Sequence, residues 1–197
     1  MKVIGVTGGV GSGKSSVLAL LKEICNCKIL MADDIANLLK APGQFCYQPV
    51  VSLLGEEVLL ENGAIDNQEM SAAIFQNPEL LAKVNAIIHP AVKAYILQAI
   101  KTEKERGEID FLFLEAALLI ECGYQAIVDE MWYVYADERT RVRRLFESRG
   151  YPEEKSREII ASQLTEEEYR AGCDWVLDNS GSMDQTRRFL TEHLSTL

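Results

Sequence analysis

The fold of this chain follows from one segment near its start, Gly8-Gly9-Val10-Gly11-Ser12-Gly13-Lys14-Ser15. The apolar run Val3-Ile4-Gly5-Val6 precedes it, and apolar residues at helical spacing follow it as far as Ile24. A strand, a glycine-rich loop and a helix in this order are the setting in which G-x-x-x-x-G-K-[ST] binds phosphate. Glycines let the backbone point its N–H groups at an anion, and the helix N-terminus adds partial positive charge. The segment therefore predicts a phosphate-binding loop rather than an ordinary turn.

Two side chains of this loop carry further chemistry. Lys14 is expected to reach the β- and γ-phosphates of a nucleotide, and the Ser15 hydroxyl is expected to hold Mg²⁺. The residues predicted to surround the phosphates are Gly8, Gly9, Val10, Gly11, Ser12, Gly13, Lys14, Ser15 and Ser16.

The composition narrows the class of protein. The 197 residues, 48% of them hydrophobic and 25% charged, suit one soluble globular domain with a small insertion. The net charge of −10 argues against general nucleic-acid binding, which depends on Lys and Arg at phosphates. The N-terminus resembles neither a signal peptide nor a membrane span, and five cysteines without a C-x-x-C pair indicate reduced thiols. We expect a cytoplasmic protein that binds neither nucleic acid nor membranes.

Five apolar runs separated by helical patterns predict an α/β fold, with a parallel sheet covered by helices on both faces. Residues 43–107 differ, because they are helical throughout, with turns at 61–63 and 77–78 and a new helix after His89-Pro90. A polar helical stretch follows at 153–172, and a last helix begins near the C-terminal end. The predicted strands cover residues 3–7, 28–31, 111–115, 130–135 and 175–177.

Acidic residues follow three of the strands, at the edge of the sheet where open α/β folds bind ligands. Asp33 follows the second strand, which we expect to adjoin the phosphate loop, and is the best candidate for a general base toward an attacking hydroxyl. Asp33 could equally cap a helix, and Asp34 offers a weaker version of both roles. Glu115, at the end of the third strand, could hold Mg²⁺ directly or through water, or face solvent. Asp137, after the fourth strand, is expected to cap a helix.

An arginine-rich segment leads to a glycine-proline hinge, Gly150-Tyr151-Pro152. Such a segment suits a lid that brings positive charge to a transferring phosphoryl group and excludes water. Arg144 and Arg149 could be such lid charges or exposed side chains. His89 precedes a proline that can start a helix, so it could cap that helix or contact a substrate. The arginines expected on an exposed helix face are Arg139, Arg141 and Arg143.

Taken together, these residues resemble the dephospho-coenzyme A kinase family over nearly the whole chain. The resemblance implies a P-loop kinase fold with a five-stranded parallel sheet, in one domain that spans 1–197. It implies a helical substrate-binding insertion at 43–107 and a helical lid at 149–172. The segments that carry the resemblance are Thr7–Ser15, Ala32-Asp33-x-Ile35-Ala36, Phe75, His89-Pro90, Leu118-Leu119-Ile120-Glu121, Gln163 and Asp174-x-Val176-x-Asp178-Asn179-Ser180-Gly181.

The resemblance also implies a reaction, the ATP-dependent phosphorylation of the ribose 3′-hydroxyl of dephospho-CoA. That reaction is the last step of coenzyme A synthesis, with ATP and Mg²⁺ as cofactors. Its implied catalytic residues are Asp33, Lys14, Arg144 and Arg149. Its implied substrate contacts are Asp33, His89, Glu115 and Leu118, and its implied Mg²⁺ ligands are Ser15 and Glu115. The segment Asn179-Ser180-Gly181 is implied to lie beside the adenine.

The chain departs from the family pattern at several positions, and other functions remain open. Met31 replaces the first Asp of a usual Asp-Ala-Asp, Asn37 and Asn67 stand where Arg is frequent, and Glu115 and Ala117 replace an Asp and a Pro. These changes keep open a catalytically impaired relative that binds coenzyme A. Another P-loop kinase, acting on a nucleoside, nucleotide or sugar acid, would share the same loop. A GTPase switch is disfavoured, because the sequence has no N-K-x-D motif.

Overall fold

The computed structural model, which describes residues 1–75 and 77–197, contains a five-stranded parallel sheet. The strand order is β2-β3-β1-β4-β5, and β1 pairs in parallel with both β3 and β4. The predicted α/β fold is confirmed. The expectation that the second strand adjoins the phosphate loop is wrong, because the third strand lies between the first two. The strands are β1 (Lys2–Thr7), β2 (Cys27–Met31), β3 (Phe111–Glu115), β4 (Glu130–Tyr135) and β5 (Trp175–Asp178).

Helices connect the strands, and the chain forms two compact units. The helical unit is Leu30–Glu105, and the loop-bearing unit comprises residues 1–29 and 106–197. The helical unit begins at Leu30, earlier than the predicted insertion of 43–107. The helices are α1 (Lys14–Ile24), α2 (Ala32–Leu39), α3 (Tyr47–Leu54), α4 (Asn67–Phe75), α5 (Pro78–Arg106), α6 (Glu138–Arg149), α7 (Glu153–Ala161), α8 (Glu166–Ala171) and α9 (Met183–Leu194).

The core of the loop-bearing unit includes side chains from the strand and the helix that flank the phosphate loop. Central strand residues are buried on both faces of the sheet, as the consecutive apolar runs predict. The helices α1 and α9 pack against this core through Val17, Leu21 and Leu190. Each fully buried large apolar side chain contributes roughly 1.5–3 kcal/mol of transfer free energy. The core residues of the strands include Ile4, Val6, Phe113, Trp132, Val134 and Leu177.

The longest helix, α5, differs from the predicted arrangement of helices around Pro90. The expected new helix after His89-Pro90 is wrong, because α5 runs through both residues without interruption. A proline inside a helix removes one N–H bond, here the bond to the carbonyl of Ala86 four residues earlier. Ala86 and Pro90 are both exposed, so water can reach that carbonyl and satisfy it.

The same helix is also the one described helix that is long and apolar enough, by length and composition alone, to cross a membrane. Its buried apolar residues recur every four positions, which places them on one face. A single buried stripe is typical of a helix packed against other parts of a protein. The residues of this stripe are Val84, Ile88, Val92, Ile96 and Ile100.

The polar stretch predicted at 153–172 forms two helices rather than one. The second of them, α8, begins with a capping box in which Thr165 and Glu168 satisfy each other's backbone N–H groups. On α8, Tyr169 is buried and its ring stacks on that of Tyr133 in β4, with ring centroids 4.6 Å apart. This stretch is therefore anchored to the sheet by an aromatic contact.

Candidate active site

The phosphate loop has the backbone that its glycines predict. Gly11 and Gly13 have φ values of 76° and 90°, a region that side chains with a Cβ disfavour. The loop closes through a hydrogen bond of 3.2 Å from the Ser12 N–H to the carbonyl oxygen of Gly9. Lys14 is the first residue of α1, so the loop leads directly into the helix N-terminus. This backbone has the conformation of loops that bind phosphate.

Lys14 and Glu115 lie together at the carboxyl edge of the sheet. The Lys14 Nζ donates to the carbonyl oxygen of Gly8 at 2.6 Å and lies 3.9 Å from Glu115 Oε1. Glu115 ends β3 in register with Val6, and it is buried. The alternative of a solvent-facing strand end is therefore wrong for Glu115. The two serines that follow Lys14 are exposed in the first turn of α1.

The underside of the loop is held by two side chains from distant parts of the chain. The carbonyl oxygen of Ser12 accepts hydrogen bonds from Asn179 Nδ2 at 2.8 Å and from Arg144 Nη1 at 3.0 Å. Arg144 Nη2 also donates to the carbonyl oxygen of Asn179 at 2.8 Å, and burial lowers the pKa of the guanidinium. Arg144 thus supports the loop backbone from α6. The hydroxyl oxygen of Ser12 is buried and has no hydrogen-bond partner among the described residues.

The structure places Arg141 at the loop as well, and the prediction that it is exposed is wrong. Only 9% of Arg141 is exposed, and burial lowers its pKa. Its Nε donates to the carbonyl oxygen of Val10 at 2.8 Å, and its Nη2 donates to Gln163 Oε1 at 2.6 Å. Helical spacing contains a signal for this burial, because Arg141 lies one turn before buried Leu145 on the same face of α6.

The segment after β5 connects to the start of α6. Asp137 caps α6, as predicted, by accepting a hydrogen bond of 2.8 Å from the Thr140 N–H. Its hydrogen bonds to Thr140 lower the pKa of the Asp137 carboxyl. The Ser180 hydroxyl oxygen accepts a hydrogen bond from the Asp137 N–H at 3.0 Å, while Gly181 is exposed.

In the helical unit, Asp33 and Asp34 are exposed in the first turn of α2. The alternative that Asp33 caps this helix is wrong, because Met31 occupies the N-cap position. Lys40, at the other end of α2, is buried and donates to Asn67 Oδ1 at 2.7 Å. Burial lowers the pKa of Lys40, and the charge of Asp33 opposes that shift.

Three other predicted site residues are exposed. His89 lies within α5 of the helical unit. Leu118 is half exposed in the turn after β3, and Arg149 is exposed at the end of α6, 5.9 Å from the centre of the Tyr151 ring. Within the described part of the chain, no hydrogen bond or ion pair joins Arg149 to the phosphate loop.

No group of three or more His, Cys, Asp or Glu side chains that could hold a metal occurs in residues 1–75 and 77–197. Mg²⁺ in phosphate sites is usually held by one or two protein oxygens together with water and phosphate. One carboxylate and one serine hydroxyl near the loop meet that requirement.

Comparison with known proteins identifies the family. The sequence profile of dephospho-CoA kinase matches residues 2–185. A dephospho-CoA kinase of Corynebacterium diphtheriae is 37% identical over 192 residues, which cover 98% of this chain and 95% of that one. A dephospho-CoA kinase of Geobacillus kaustophilus is also 37% identical, over 187 residues that cover 95% of this chain and 92% of that one.

Solved structures agree with this result at the level of the fold. The crystal structure of TT1252 from Thermus thermophilus superposes with a TM-score of 0.81 at 31% identity and covers 100% of this chain and 97% of that one. A dephospho-CoA kinase from Campylobacter jejuni superposes with a TM-score of 0.73 at 20% identity and covers 98% and 95%. A shikimate kinase from Acinetobacter baumannii shares the fold with a TM-score of 0.54 at 14% identity and covers 100% and 94%. Because it carries the phosphate loop and its sequence matches the family profile over residues 2–185, the chain belongs to the dephospho-CoA kinase family.

Proposed function

We propose that this chain transfers the terminal phosphoryl group of ATP to the ribose 3′-hydroxyl of dephospho-CoA, with Asp33 as general base. The chain is a P-loop kinase of coenzyme A biosynthesis by family membership, and the family uses ATP as phosphate donor. The observation that carries the proposal is the phosphate loop with Lys14 beside Glu115, in a chain matched over residues 2–185. A GTPase switch has no support from these relatives.

The loop fits a triphosphate on its own structural evidence. Its positive-φ glycines open the backbone toward an anion, and the buried Ser12 hydroxyl has no partner among the described residues. Lys14 supplies a positive charge at the mouth of the loop. We infer that Mg²⁺ binds at the Ser15 hydroxyl and the Glu115 carboxylate, since both are hard oxygen ligands. When bound, Mg²⁺ and ATP supply the reactive phosphoryl group and neutralise its charge.

The residues of the chain then have distinct tasks. Asp33, exposed at the start of α2, receives the proton of the attacking hydroxyl, and Lys14 stabilises charge on the phosphates. Arg144 acts through the loop backbone, because its guanidinium donates to the carbonyl oxygen of Ser12. Arg149, exposed beside the hinge, is assigned to the lid at 149–172.

Further substrate contacts are proposed for the helical unit and for the turns near the loop. We assign the insertion at 43–107 to the acceptor substrate, with His89 and Leu118 as contacts, both of which are exposed enough to be reached. Ser180 and Gly181 are assigned to the adenine side. Asn179 belongs to the same segment, but its buried carboxamide supports the loop.

The proposed setting is the cytoplasm, with a small molecule as the partner. The net charge of −10 is unfavourable for binding to nucleic acid or to anionic lipid surfaces. The stripe of buried residues on α5 supports packing within the protein rather than insertion into lipid.

The test measures ADP release with ATP and Mg²⁺ over a panel of acceptors. We expect activity with dephospho-CoA and none with nucleosides, nucleotides or shikimate. Asp33→Asn should lower turnover by orders of magnitude, roughly the 10²–10⁴-fold that a general base contributes. Asp34→Asn is the matched control, because it makes the same change at the next position of the same exposed turn, and it should stay close to wild type.

Two results would contradict the proposal. Activity on a nucleotide or sugar acid without activity on dephospho-CoA would show a different kinase. Wild-type turnover far below the ~1–100 s⁻¹ usual for kinases, together with tight coenzyme A binding, would show an impaired relative. In that case Met31, Asn37 and Asn67 are the first positions to restore to the family residues.

A further inference from the structure

A single neutral oxygen at the phosphate loop accepts hydrogen bonds from two donors. The Gln163 Oε1 accepts from the Val10 N–H at 3.0 Å and from Arg141 Nη2 at 2.6 Å. Gln163 lies between α7 and α8, and its backbone N–H donates to the carbonyl oxygen of Ile160. A backbone N–H of an anion-binding loop and a guanidinium that converge on one point are the donors that usually surround an anionic oxygen.

Arg141 is built into the loop rather than placed on the surface. Its Nε donates to the carbonyl oxygen of Val10 at 2.8 Å, so the guanidinium is fixed at the turn of the loop. Arg141 is 9% exposed, and within residues 1–75 and 77–197 no carboxylate lies within ion-pair distance of it. The charge of Glu138 acts on the guanidinium only from beyond that distance, so an anionic ligand in direct contact lowers the cost of burying Arg141.

The loop backbone leaves room for this arrangement at Gly9. A Cβ at Gly9 would collide with the guanidinium of Arg141 and would come within 2.8 Å of Gln163 Oε1. The close approach of Arg141 and Gln163 to the loop thus requires a residue without a side chain. The Val10 N–H and Arg141 Nη2 are therefore held in place as two donors, and the carboxamide oxygen of Gln163 occupies the acceptor position.

We infer that Arg141 and the Val10 N–H form an anion subsite, and that an oxygen of the terminal phosphate of ATP replaces Gln163 Oε1 there. A phosphate oxygen is the stronger acceptor, because it carries negative charge toward the guanidinium, whereas the carboxamide oxygen of Gln163 is neutral. Gln163 therefore fills the subsite in the absence of nucleotide and leaves it when nucleotide binds. The inference rests on the proposed function, since that function brings a triphosphate to the loop.

The experiment uses inorganic tripolyphosphate, titrated into the full chain by isothermal calorimetry, so that no acceptor and no turnover is involved. Arg141→Gln should weaken tripolyphosphate binding by about tenfold or more, because it removes a charge-assisted hydrogen bond. Gln163→Ala should tighten binding by about threefold to tenfold, because it removes the internal competitor. Arg143→Gln is the matched control, since it removes the same charge from an exposed position on the same helix, and it should bind within about twofold of wild type.

Some outcomes would overturn the subsite. Gln163→Ala that weakens binding would make Gln163 a ligand of the anion instead of its competitor. Arg141→Gln that behaves like Arg143→Gln would remove Arg141 from the site. If Arg141→Gln does not fold, Arg141→Lys takes its place, and tripolyphosphate affinity equal to that of wild type would show that the guanidinium Nη2 donor is not needed in the subsite. If the variants show the expected tripolyphosphate affinities but the protein does not phosphorylate dephospho-CoA, the proposed function fails and the subsite stands.

Discussion

Asn179 Nδ2 donates a hydrogen bond of 2.8 Å to the carbonyl oxygen of Ser12, across 167 positions of the chain. The other end of the same carboxamide is also engaged, because Asn179 Oδ1 accepts a hydrogen bond of 2.8 Å from Thr186 Oγ1. Asn179 and Thr186 are both fully buried. The turn after β5 and the start of α9 therefore set the position of the phosphate loop from below.

Asn179→Ala should destabilise the protein and weaken its binding of ATP. It leaves the buried Thr186 hydroxyl without this partner and removes one of two donors to Ser12, at a cost of about 1–3 kcal/mol. Arg144 still donates to the same carbonyl oxygen, so we expect the lower part of that range. Urea unfolding and ATP titration measure the two effects.

Thr186 provides the matched pair of variants for this network. Thr186→Val keeps the shape and removes the hydroxyl, whereas Thr186→Ser keeps the hydroxyl and loses a methyl group. If the hydroxyl orients Asn179, Thr186→Val weakens ATP binding and Thr186→Ser does not. Equal ATP affinities in the two variants would show that the bond to Asn179 is not needed to position the loop.

The contrast between these contacts and the loop itself shows what the sequence could predict. The strand, the glycines and the helix from Val3 to Ile24 are a local pattern, so the backbone could be read from residue types. The cap at Asp137 is equally local, because its partner is three residues away. The bond between Asn179 and Ser12 joins distant segments, which the pairing of β5 with β4 and the packing of α9 on the core bring together.

The mistaken predictions have physical causes of the same kind. The sequence predicts Arg141 on an exposed helix face because arginine is usually exposed, and the Val10 carbonyl oxygen that accepts its hydrogen bond lies 131 positions away. The local preference of Pro90 predicts a helix start, and the packing of the buried stripe on α5 overrides that preference. Tertiary contacts decide both cases.

Gly13→Ala should abolish phosphate binding and destabilise the protein. Gly13 has a φ of 90°, and a Cβ there would collide with Asn179 Nδ2 and approach Arg144 Nη1 to 3.2 Å. A side chain in the left-handed region costs roughly 1–2 kcal/mol before any collision. We therefore expect a larger loss of unfolding free energy than this, measured by urea unfolding, and no detectable tripolyphosphate binding.

Gly107→Ala separates the two contributions. Gly107 has a φ of 66°, and nothing lies within 4 Å of a Cβ placed there. It should show the backbone cost alone and bind tripolyphosphate normally. Equal losses of stability in the two variants would mean that Asn179 moves aside without cost, and that the collision at Gly13 is unimportant.

Alkaline pH should destabilise the protein. Burial raises the pKa of Cys25, Cys173 and Tyr133 to about 12, so these groups stay neutral in the folded chain. In the unfolded chain the thiols lose protons from the ordinary value of 9.0 upward, so the unfolded state binds fewer protons than the folded state. The stability they contribute is complete below about pH 9 and is lost as pH rises toward about 12.

Urea unfolding at a series of pH values from about 7.5 to 10.5, chosen to cross the thiol range, tests this slope. Lys40 acts in the opposite direction, since its pKa is lowered by burial, but it is outnumbered by the buried thiols and tyrosines. Cys173→Ser and Tyr133→Phe should each flatten the decline. Tyr95→Phe alters an exposed ring and should leave the slope unchanged. Stability that is constant or rises across this range would contradict the assignment.

Tyr169→Ala should loosen the proposed lid segment at 149–172 without a comparable effect on the sheet. The Tyr169 ring is 2% exposed and stacks on Tyr133 at an interplanar angle of 10°, so it joins α8 to β4. Removing a buried aromatic side chain costs about 3–5 kcal/mol of stability. We expect this loss to lower mainly the free energy of local opening of α7 and α8. Amide hydrogen exchange should accelerate by about tenfold or more in α7 and α8 and little in β1.

Phe146→Ala makes the same kind of truncation at a ring that is 64% exposed, and it should leave exchange unchanged. An equal acceleration in β1 and in α8 would show that Tyr169 stabilises the whole loop-bearing unit and that residues 149–172 do not open separately.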